Sequence, residues 1–253
     1  MSKILFVSDI DNTLIHSFKH KRDGDVCIEW KGDFEQAFMS EKAFIMLRDL
    51  KVDVLLVSSR STELYRRLKL PCNAKYALVS NGSLLIENDV INDCWKAESE
   101  KIVSGYKSVL IKLLNEFADN EHIKSARLVD DMYLFLHCRE KDDVQFIFEA
   151  VKRKTKLPVM TSGRKIYVVP EEFSKGRSVL RVLDFCNTKY DKVICAGDSK
   201  VDASMLSVCD VALVPDENLA NMVKNKNILV CNKADFSEFV LEVVSEYVNG
   251  ERP

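Results

Sequence analysis

The sequence predicts an α/β fold in which a parallel-sheet core, flanked by helices, is interrupted by a second, smaller α/β unit. Short apolar runs alternate with amphipathic segments towards both ends of the chain, which is typical of a parallel sheet covered by helices. The middle of the chain combines strand-like and helical segments with hairpin turns, which favours a small antiparallel sheet. We therefore predict a discontinuous core, residues 1–82 and 170–253, and an inserted domain, residues 83–169.

The composition indicates a globular protein with a sizeable core. Of the 253 residues, 47% are apolar and 30% are charged, and the formal net charge is -2. This balance argues against a nucleic-acid or membrane-surface binder, because either usually carries a basic excess. No apolar stretch approaches the ~20 residues needed to span a bilayer. The N-terminal apolar run, Ile4–Val7, is too short for a signal sequence, so we expect a cytoplasmic location.

The N-terminal part of the predicted core consists of three strands and two helices. The strands are apolar, and the longer helix has an apolar stripe along one face. In chain order the predicted elements are the strand Lys3–Ser8, the helix Ser40–Leu50, the strand Val52–Ser58, the helix Thr62–Leu68 and the strand Tyr76–Ser80.

A long connection, Ile15–Met39, follows the first strand and predicts a β-hairpin flap. Val26, Ile28 and Trp30 alternate with polar residues, and Asp23-Gly24 is a turn signal. This turn would place the basic run Lys19–Arg22 at the tip of the hairpin. The run is interpreted either as a patch that steers phosphate or as an ordinary solvated charged turn.

The remaining elements alternate between strands and helices as far as the C-terminus. Gly163 supplies a turn inside one strand candidate, and Asp235 with Glu238 has the spacing of a helix capping box. The predicted elements of the inserted domain are the hairpin Ser83–Ile91, the helix Trp95–Phe117, the strand Ala126–Cys138, the helix Asp142–Lys154 and the strand Pro158–Val169. Those of the core are the strand Lys192–Ala196, the helix Ala203–Val208, the strands Val211–Val214 and Ile228–Cys231, and a helix from Asp235 to about Val248.

Two carboxylates follow the first predicted strand. Asp9 and Asp11 are two positions apart, so both can face one pocket at the edge of the sheet where open α/β folds bind ligands. Like charges at the end of an apolar strand repel, and their desolvation is costly unless a cation compensates. Mg²⁺, which prefers oxygen ligands, suits this position. Alternatively, Asp11 and Asn12 form a turn and Asp9 is a solvated loop acid.

Three further polar segments occur in order along the chain. Ser58-Ser59-Arg60 ends the second strand of the predicted core, Ser174-Lys175-Gly176 begins a helix, and Gly197–Asp202 follows a later strand with two acids. Together with Asp9–Thr13, this ordered set resembles the four motifs of the haloacid dehalogenase-like hydrolase superfamily, which are DxDxT, a Ser or Thr at a strand end, a Lys, and GDxxxD.

The chain is most similar to the branch of that superfamily in which a large cap is inserted between the second and third motifs. This branch includes Cof-type, sucrose-phosphate and trehalose-phosphate phosphatases and phosphomannomutases. Ser80-Asn81-Gly82 resembles its turn at the cap entry, and Met205-Leu206 resembles the residues that follow its fourth motif. The resemblance implies a Rossmann-like parallel-sheet core with an inserted α/β cap domain.

The resemblance also implies a role for each motif residue. Asp9 matches the nucleophile that forms an aspartyl-phosphate, and Asp11 matches the acid–base for the leaving alcohol and the hydrolytic water. Ser58 would hydrogen-bond the transferred phosphoryl group, and Lys175 would hold its charge. Mg²⁺ is the implied cofactor. The implied metal ligands are Asp9, Asp11 through its backbone carbonyl, Asp198 and Asp202.

The sequence departs from the family pattern at two positions. Val201 stands where related enzymes commonly have an asparagine, so one hydrogen-bond donor near the metal or phosphate is missing. Ser59 stands where the family usually has glycine. Ser59 and Asn81 are candidate substrate-binding residues, although Asn81 also suits a simple turn. Arg60 is open to two interpretations, a structural ion pair or a substrate contact.

The sequence therefore predicts a magnesium-dependent phosphomonoester hydrolase whose partner is a small phosphorylated metabolite, with sugar phosphates the first expectation. A phosphomutase of the phosphomannomutase type, and a non-catalytic protein that binds a phospho-ligand, are the alternatives. Substrate specificity should come from side chains of the cap. The candidates are Trp95, Tyr133, Arg139 and Arg164.

Overall fold

The computed structural model describes residues 3–186 and 188–252. The strands in these ranges are β1 (Ile4–Ser8), β2 (His16–Ser17), β3 (Val26–Lys31), β4 (Phe34–Met39), β5 (Asp53–Val57), β6 (Tyr76–Val79), β7 (Leu84–Glu87), β8 (Val90–Ile91), β9 (Ile123–Val129), β10 (Tyr133–Cys138), β11 (Val159–Ser162), β12 (Lys165–Val168), β13 (Lys192–Ala196), β14 (Val211–Val214) and β15 (Ile228–Val230). The α-helices are α1 (Glu41–Asp49), α2 (Thr62–Tyr65), α3 (Asp93–Ser104), α4 (Lys107–Phe117), α5 (Asp143–Lys152), α6 (Lys175–Cys186), α7 (Ala203–Leu206), α8 (Glu217–Ala220) and α9 (Phe236–Asn249). Among these described helices, none is long and apolar enough to cross a bilayer.

A large sheet with the strand order β15-β14-β13-β1-β5-β6-β7-β8 forms the centre of the fold. Its strands are parallel from β15 to β6, and β7 and β8 add antiparallel pairs. Every residue of β1 is buried, as expected for a strand covered by helices on both faces. Ser8 is aligned with Ala196 of β13 and Leu56 of β5, so these three strands end at the same edge. The α/β prediction with a parallel core is confirmed.

The flap is a three-stranded sheet with the order β2-β4-β3. A hairpin is present, but its turn was wrongly placed, because β3 and β4 are joined at Gly32, which has a φ of 61°. Asp23-Gly24 forms a separate turn ahead of β3. The basic run does not lie at the hairpin tip, since Lys21 pairs with Glu35 at 2.6 Å and Arg22 pairs with Asp235.

The second sheet has the strand order β11-β12-β10-β9 and is antiparallel. The strand predicted over 126–138 is instead two strands, because Asp130 and Asp131 both have positive φ and form a turn. Gly163, with a φ of 55°, forms the predicted turn between β11 and β12. Helices α4 and α5 pack on this sheet, which leaves the opposite face directed at the large sheet's edge.

The single helix predicted over 95–117 is wrong, because α3 and α4 are separated at Gly105 and Tyr106. The two helices cover different sheets, α3 packing on β7 and α4 on β9 and β10. The side chain of Trp95 on α3 is buried among residues of the core, and its indole Nε1 donates to the Gly82 carbonyl at 3.2 Å. Glycine is unfavourable inside a helix and is common at helix ends. The break at Gly105 separates the helix that packs on the large sheet from the helix that packs on the second sheet.

The predicted boundary at residues 82 and 83 does not coincide with the sheet pairing. The hairpin β7–β8 joins the large sheet, with Leu78 opposite Leu85 and Ala77 opposite Ile86. A short apolar hairpin carries no signal that tells which of two sheets it will extend. We therefore propose that the inserted domain begins near Gly105 and ends at about residue 169, and that α3 belongs to the core.

The C-terminal helix α9 packs on α1 beside the large sheet. Asp235 caps α9 by accepting from the Glu238 backbone N–H at 3.0 Å, as predicted. The reciprocal half of the capping box is absent, because the Glu238 carboxylate instead accepts from the Ser40 hydroxyl at 2.8 Å. That hydroxyl also caps α1, so one acid connects the starts of two helices.

Candidate active site

The candidate site lies where β1, β5 and β13 end together. Asp9 directly follows β1, and its backbone N–H donates to the Ala196 carbonyl of β13 at 2.9 Å. Ser58 directly follows β5, and its backbone N–H donates to Leu78 of β6 at 2.8 Å. These bonds continue the sheet ladder for one residue beyond the strands, which fixes the direction of each side chain. The sheet therefore brings distant segments of the chain to one edge.

Three carboxylates meet at this edge. Asp9, Asp198 and Asp202 each offer an oxygen atom, and these atoms lie within 4.8 Å of one another. The Lys175 ammonium lies 2.5 Å from Asp9 Oδ1 and 2.5 Å from Asp202 Oδ1. Lys175 and Asp202 are buried, and Asp9 is only 5% exposed. Four residues that the sequence separates by up to 193 positions thus share one pocket.

The single ammonium does not balance the three carboxylates. Burial raises the pKa of Asp9 well above its ordinary value, since Lys175 only partly offsets burial and the neighbouring acids. Burial and the charge of Asp202 raise the pKa of Asp198 to about 7. Burial alone would lower the pKa of Lys175, but its contacts with Asp202 and Asp9 raise it. A further cation would relieve this repulsion, and carboxylate oxygens are the donors that a hard divalent ion prefers.

The loop after β13 holds Asp202 by its second oxygen. Oδ2 of Asp202 accepts from the Ser199 backbone N–H at 2.9 Å and from its hydroxyl at 2.8 Å. A Cβ on Gly197 would lie 2.5 Å from the Asp202 Cβ, so this position has no room for a side chain. Val201, which replaces the family's asparagine, is buried. The loop is therefore fixed by Ser199 and Asp202 without that asparagine.

Gly176 allows α6 to approach α7 and so places Lys175 in the pocket. A Cβ at residue 176 would lie 2.3 Å from the Ser204 carbonyl oxygen, a contact with rigid backbone. We expect Gly176→Ala to destabilise the protein by about 1–3 kcal/mol, as overpacking in cores does. Thermal unfolding should show a Tm lower by about 2–12 °C.

Gly105→Ala is the matched control for this substitution. A Cβ there would meet only the Ile102 carbonyl oxygen at an ordinary 3.6 Å, and the residue has a right-handed conformation. The control should leave the Tm unchanged or raise it slightly, because alanine restricts the unfolded chain. Equal Tm values for the two variants would contradict the close-approach argument.

Asp11 forms an ion-pair network with the second motif and the flap. Arg60 donates to both oxygens of Asp11, at 2.7 and 2.8 Å, and to the Glu29 carboxylate at 2.8 Å. The Asp11 carboxylate is 43% exposed and lines the cavity under the inserted domain. Burial raises its pKa, but the hydrogen bonds and charge of Arg60 outweigh burial and the pKa is lowered. Of the two interpretations of Arg60, the ion pair is the one observed.

The two serines and the asparagine predicted for the site lie together beside the strand ends. The Ser58 hydroxyl is buried and accepts from the Arg60 backbone N–H at 3.1 Å. Ser59 lines the cavity, and its carbonyl accepts from the Tyr133 hydroxyl at 2.7 Å. Asn81 is 1% exposed, has a φ of 59°, and neither of its side-chain amide atoms has a partner within the described ranges. A buried, unpaired amide beside Ser58 is suited to a ligand.

A cavity of about 430 Å³ opens next to Asp11. Three separate segments form its walls: the core, the flap and the inserted domain. Its charged and aromatic lining residues include Asp11, Arg60, Glu29, Lys31, Arg127, Tyr133, Lys165 and Tyr167. The inserted domain is held over the cavity by Asp130, whose Oδ2 accepts from the Thr62 backbone N–H at 2.8 Å and from the Ser80 hydroxyl at 2.5 Å.

Of the four predicted specificity candidates, Tyr133 lines the cavity and the other three do not. Trp95 packs in the core, and the Arg139 side chain donates to the Glu121 carbonyl at 2.9 Å. Arg164 donates to the Arg139 carbonyl. Arg127 and Lys165, which also line the cavity, were not predicted from the sequence. Alternation along β9 and β12 places Arg127 on the same face as Val129 and Lys165 on the same face as Tyr167, so this assignment needed the strand boundaries.

Comparison with known proteins identifies the family. The sequence profile of the haloacid dehalogenase-like hydrolases matches residues 74–236, which is more than half of the chain. The chain belongs to this family. The resemblance found in the four motifs is therefore confirmed, and the protein is a hydrolase. Its curated relatives include the phosphoglycolate phosphatase of Picrophilus torridus, which is 25% identical over 239 residues and 92% of each chain.

Solved structures share the fold of this hydrolase over almost its whole length. The sucrose-phosphatase from Synechocystis sp., in complex with sucrose and phosphate, has a TM-score of 0.67 at 15% identity, covering 98% of this chain and 99% of that one. The trehalose-6-phosphate phosphatase of Aspergillus fumigatus has a TM-score of 0.56 at 16% identity, covering 98% and 93%. At these identities the likeness shows the shared fold.

Proposed function

We propose that this hydrolase is a phosphomonoesterase that depends on a divalent metal ion and acts through an aspartyl-phosphate at Asp9. The observation that carries the proposal is the contact of Asp9 with Lys175 inside a cluster of three carboxylates. A carboxylate cannot easily approach a phosphate dianion unless positive charge offsets their repulsion. The pocket holds one ammonium group and the donor set for a metal ion, which together supply that charge.

The nucleophile is held in a defined orientation. Oδ1 of Asp9 accepts from Lys175 at 2.5 Å, and Oδ2 accepts from the Thr13 hydroxyl at 3.2 Å. In the first step an Asp9 oxygen forms a bond to phosphorus as the bond from phosphorus to the leaving oxygen breaks. In the second step water attacks phosphorus, which frees Asp9 and releases inorganic phosphate.

Asp9, Asp198 and Asp202, with the Asp11 backbone carbonyl, would hold Mg²⁺, which when bound neutralises phosphoryl charge and aligns the group with the nucleophile. Lys175 bridges Asp9 and Asp202 and so keeps the nucleophile within this set. We propose that the Ser58 hydroxyl and the Asn81 amide, which is unpaired among the described residues, donate to the phosphoryl oxygens.

Asp11 is proposed as the acid and base of the two steps. It donates a proton to the leaving oxygen and then takes one from the attacking water. The ion pair with Arg60 lowers its pKa and favours the ionised form, which is the form that activates water. Protonation for the first step requires that the pair with Arg60 loosens. Arg60 and Glu29 are therefore proposed as positioning residues for Asp11.

The size of the cavity favours a small phosphate ester, because the inserted domain beside it would exclude a large macromolecular substrate. Sugar phosphates are the class that the sequence predicts. The relatives named above, phosphatases of phosphoglycolate, sucrose-phosphate and trehalose-6-phosphate, also act on small esters. We propose that the inserted domain serves as the cap of this hydrolase.

The proposal is tested by metal dependence, read in two ways. Saturating Mg²⁺ should raise the Tm of the metal-free protein, since binding at 100-fold over Kd stabilises by about 2.7 kcal/mol. For a chain of this length, that corresponds to roughly 5–11 °C. The same Mg²⁺ should allow phosphate release from an aryl phosphate, and a chelator should abolish it.

Asp198→Asn is the variant that should lose the Tm shift, because it removes one carboxylate of the proposed set. Full activity in chelator, or an equal Tm shift in this variant, would contradict the metal site. Bisphosphate-dependent isomerisation without phosphate release would favour the phosphomutase alternative. Binding of phosphate esters with no turnover would favour a non-catalytic protein.

A further inference from the structure

The cap sheet presents one face to the cavity. Register across β9, β10 and β12 places Arg127 opposite Phe135 and Phe135 opposite Tyr167, so these three side chains form one row. Lys165 lies two residues from Tyr167 on β12 and therefore shares this face. All four residues line the cavity. This wall of the cavity is thus aromatic at its centre and basic at its edges.

The basic residues of this wall have no acidic partner among the residues that the structure describes. The Arg127 guanidinium lies over the Phe135 ring, 4.5 Å from its centroid, and Lys165 makes no ion pair in the described ranges. The two acids that line the cavity, Asp11 and Glu29, are both engaged by Arg60. Both cap cations are exposed to the cavity. They are therefore available to a ligand.

The flap adds to this positive charge. Lys31, at the end of β3, also lines the cavity and makes no ion pair within the described ranges. Another lining cation, Arg67, is paired with Glu63 and so contributes less. The distal part of the cavity is therefore positive, although the phosphoryl group itself is expected beside Asp9 and Lys175.

We propose that the leaving group of the substrate carries a second anionic group, a carboxylate or a second phosphate, bound by Arg127 and Lys165. This inference rests on the proposed phosphomonoesterase function and adds the substrate class. A planar guanidinium can donate two parallel hydrogen bonds to either anion, and such charge-assisted bonds are about twice as strong as neutral ones. Two cations that line one cavity and have no acidic partner in the described ranges suit an anionic leaving group better than an uncharged one.

Matched pairs of substrates test the proposal directly. 3-Phosphoglycerate and glycerol 3-phosphate differ by a carboxylate, and fructose 1,6-bisphosphate and fructose 6-phosphate differ by a second phosphate. In one of the two pairs, we expect kcat/KM to be at least tenfold higher for the member that carries the second anionic group. The pair that shows the difference identifies which anion is bound. Ratios near one in both pairs would overturn the proposal.

Cap variants assign the preference to the two residues. For each pair, the ratio compares kcat/KM for the ester that carries the second anionic group with kcat/KM for the ester that lacks it. Arg127→Gln and Lys165→Gln should each lower this ratio by about tenfold, chiefly through KM. Lys112→Gln, which removes an exposed lysine of α4 on the outer surface of the cap, should leave the ratio unchanged. Unchanged ratios in both cavity variants would contradict the assignment even if the preference exists.

Binding without turnover separates this inference from the proposed function. In calorimetric titration with Mg²⁺ present, the Asp9→Asn variant should bind 3-phosphoglycerate more tightly than glycerol 3-phosphate, or fructose 1,6-bisphosphate more tightly than fructose 6-phosphate. Hydrolysis of both members of each pair at equal rates would overturn the anionic leaving group but not the phosphatase. Failure to hydrolyse any ester, with selective binding preserved, would overturn the phosphatase but not the anion site.

Discussion

Asp9→Asn should abolish phosphate release while the protein remains folded. Asparagine has the shape of aspartate but is a poor nucleophile, and loss of a nucleophile of this kind costs roughly 10⁴- to 10⁶-fold in kcat. The substitution removes one of three carboxylates that repel one another, although it also weakens the contact with Lys175. The Tm of the metal-free variant should therefore stay within about 5 °C of the parent. Phosphate release and thermal unfolding are measured on the same preparation.

The control is Asp119→Asn, which removes an equal charge from an exposed position after α4, remote from the site. It should leave both activity and Tm at parental values. Residual activity of the Asp9 variant above 1% of the parent would mean that another group attacks phosphorus. A large fall in Tm would mean instead that Asp9 is needed mainly for folding, and the activity result would then carry no weight for the mechanism.

Lys175→Met should impair both stability and catalysis. Methionine fills a similar volume but leaves Asp9 and Asp202 buried without a positive partner. Breaking a buried ion pair by removing one member typically costs about 3–5 kcal/mol. For this chain length we expect a fall in Tm of roughly 6–20 °C in metal-free buffer. Phosphate release should fall by at least about 100-fold, because positive charge near the phosphoryl group is lost.

The double variant Lys175→Met with Asp202→Asn distinguishes electrostatics from packing. Removing the second charge should restore about half of the lost stability but none of the activity. Lys107→Met, at an exposed position on α4, should change neither property. If the double variant is no more stable than the single one, the loss comes from packing around residue 175. That outcome would contradict the role assigned to its charge.

The clustering of the candidate site residues could be predicted from sequence because these residues directly follow strand ends. Once β1, β5 and β13 are parallel neighbours, Asp9, Ser58 and the acids after β13 must meet at one edge. Apolar runs reveal such strands, and the spacing of the polar residues after them is short. Lys175, at the first turn of α6, belongs to the same class of local signals. The motif order then supplied the family.

The walls of the cavity could not be predicted in this way. Arg60 reaches Glu29 and Asp11 through a long side chain across 31 and 49 residues of sequence, and no periodicity encodes that contact. Arg127 and Lys165 lie on strands whose limits depend on turns at Asp130 and at Gly163. A strand predicted over 126–138 without its turn left the cavity-facing residues undetermined.

The sheet that the hairpin after residue 82 joins could not be predicted for a related reason. The apolar hairpin β7–β8 suits either sheet, and its choice depends on pairing with β6 rather than on its own composition. The helix predicted over 95–117 had a continuous amphipathic pattern, yet α3 and α4 serve different partners. The pairing of β7–β8 and the separation of α3 from α4 are therefore determined by tertiary contacts and not by the local sequence pattern.

The division of the cavity wall among core, flap and cap has a consequence for engineering and for evolution. Under the proposed function, leaving-group recognition does not depend on the inserted domain alone, because Glu29 and Lys31 come from a segment that precedes it by some 75 residues. A chimera that exchanges residues 105–169 alone would combine the inserted domain of another protein with the original flap residues of the cavity. Transfer of substrate selectivity would require both segments to be exchanged together. Substitutions in the two segments should therefore be correlated.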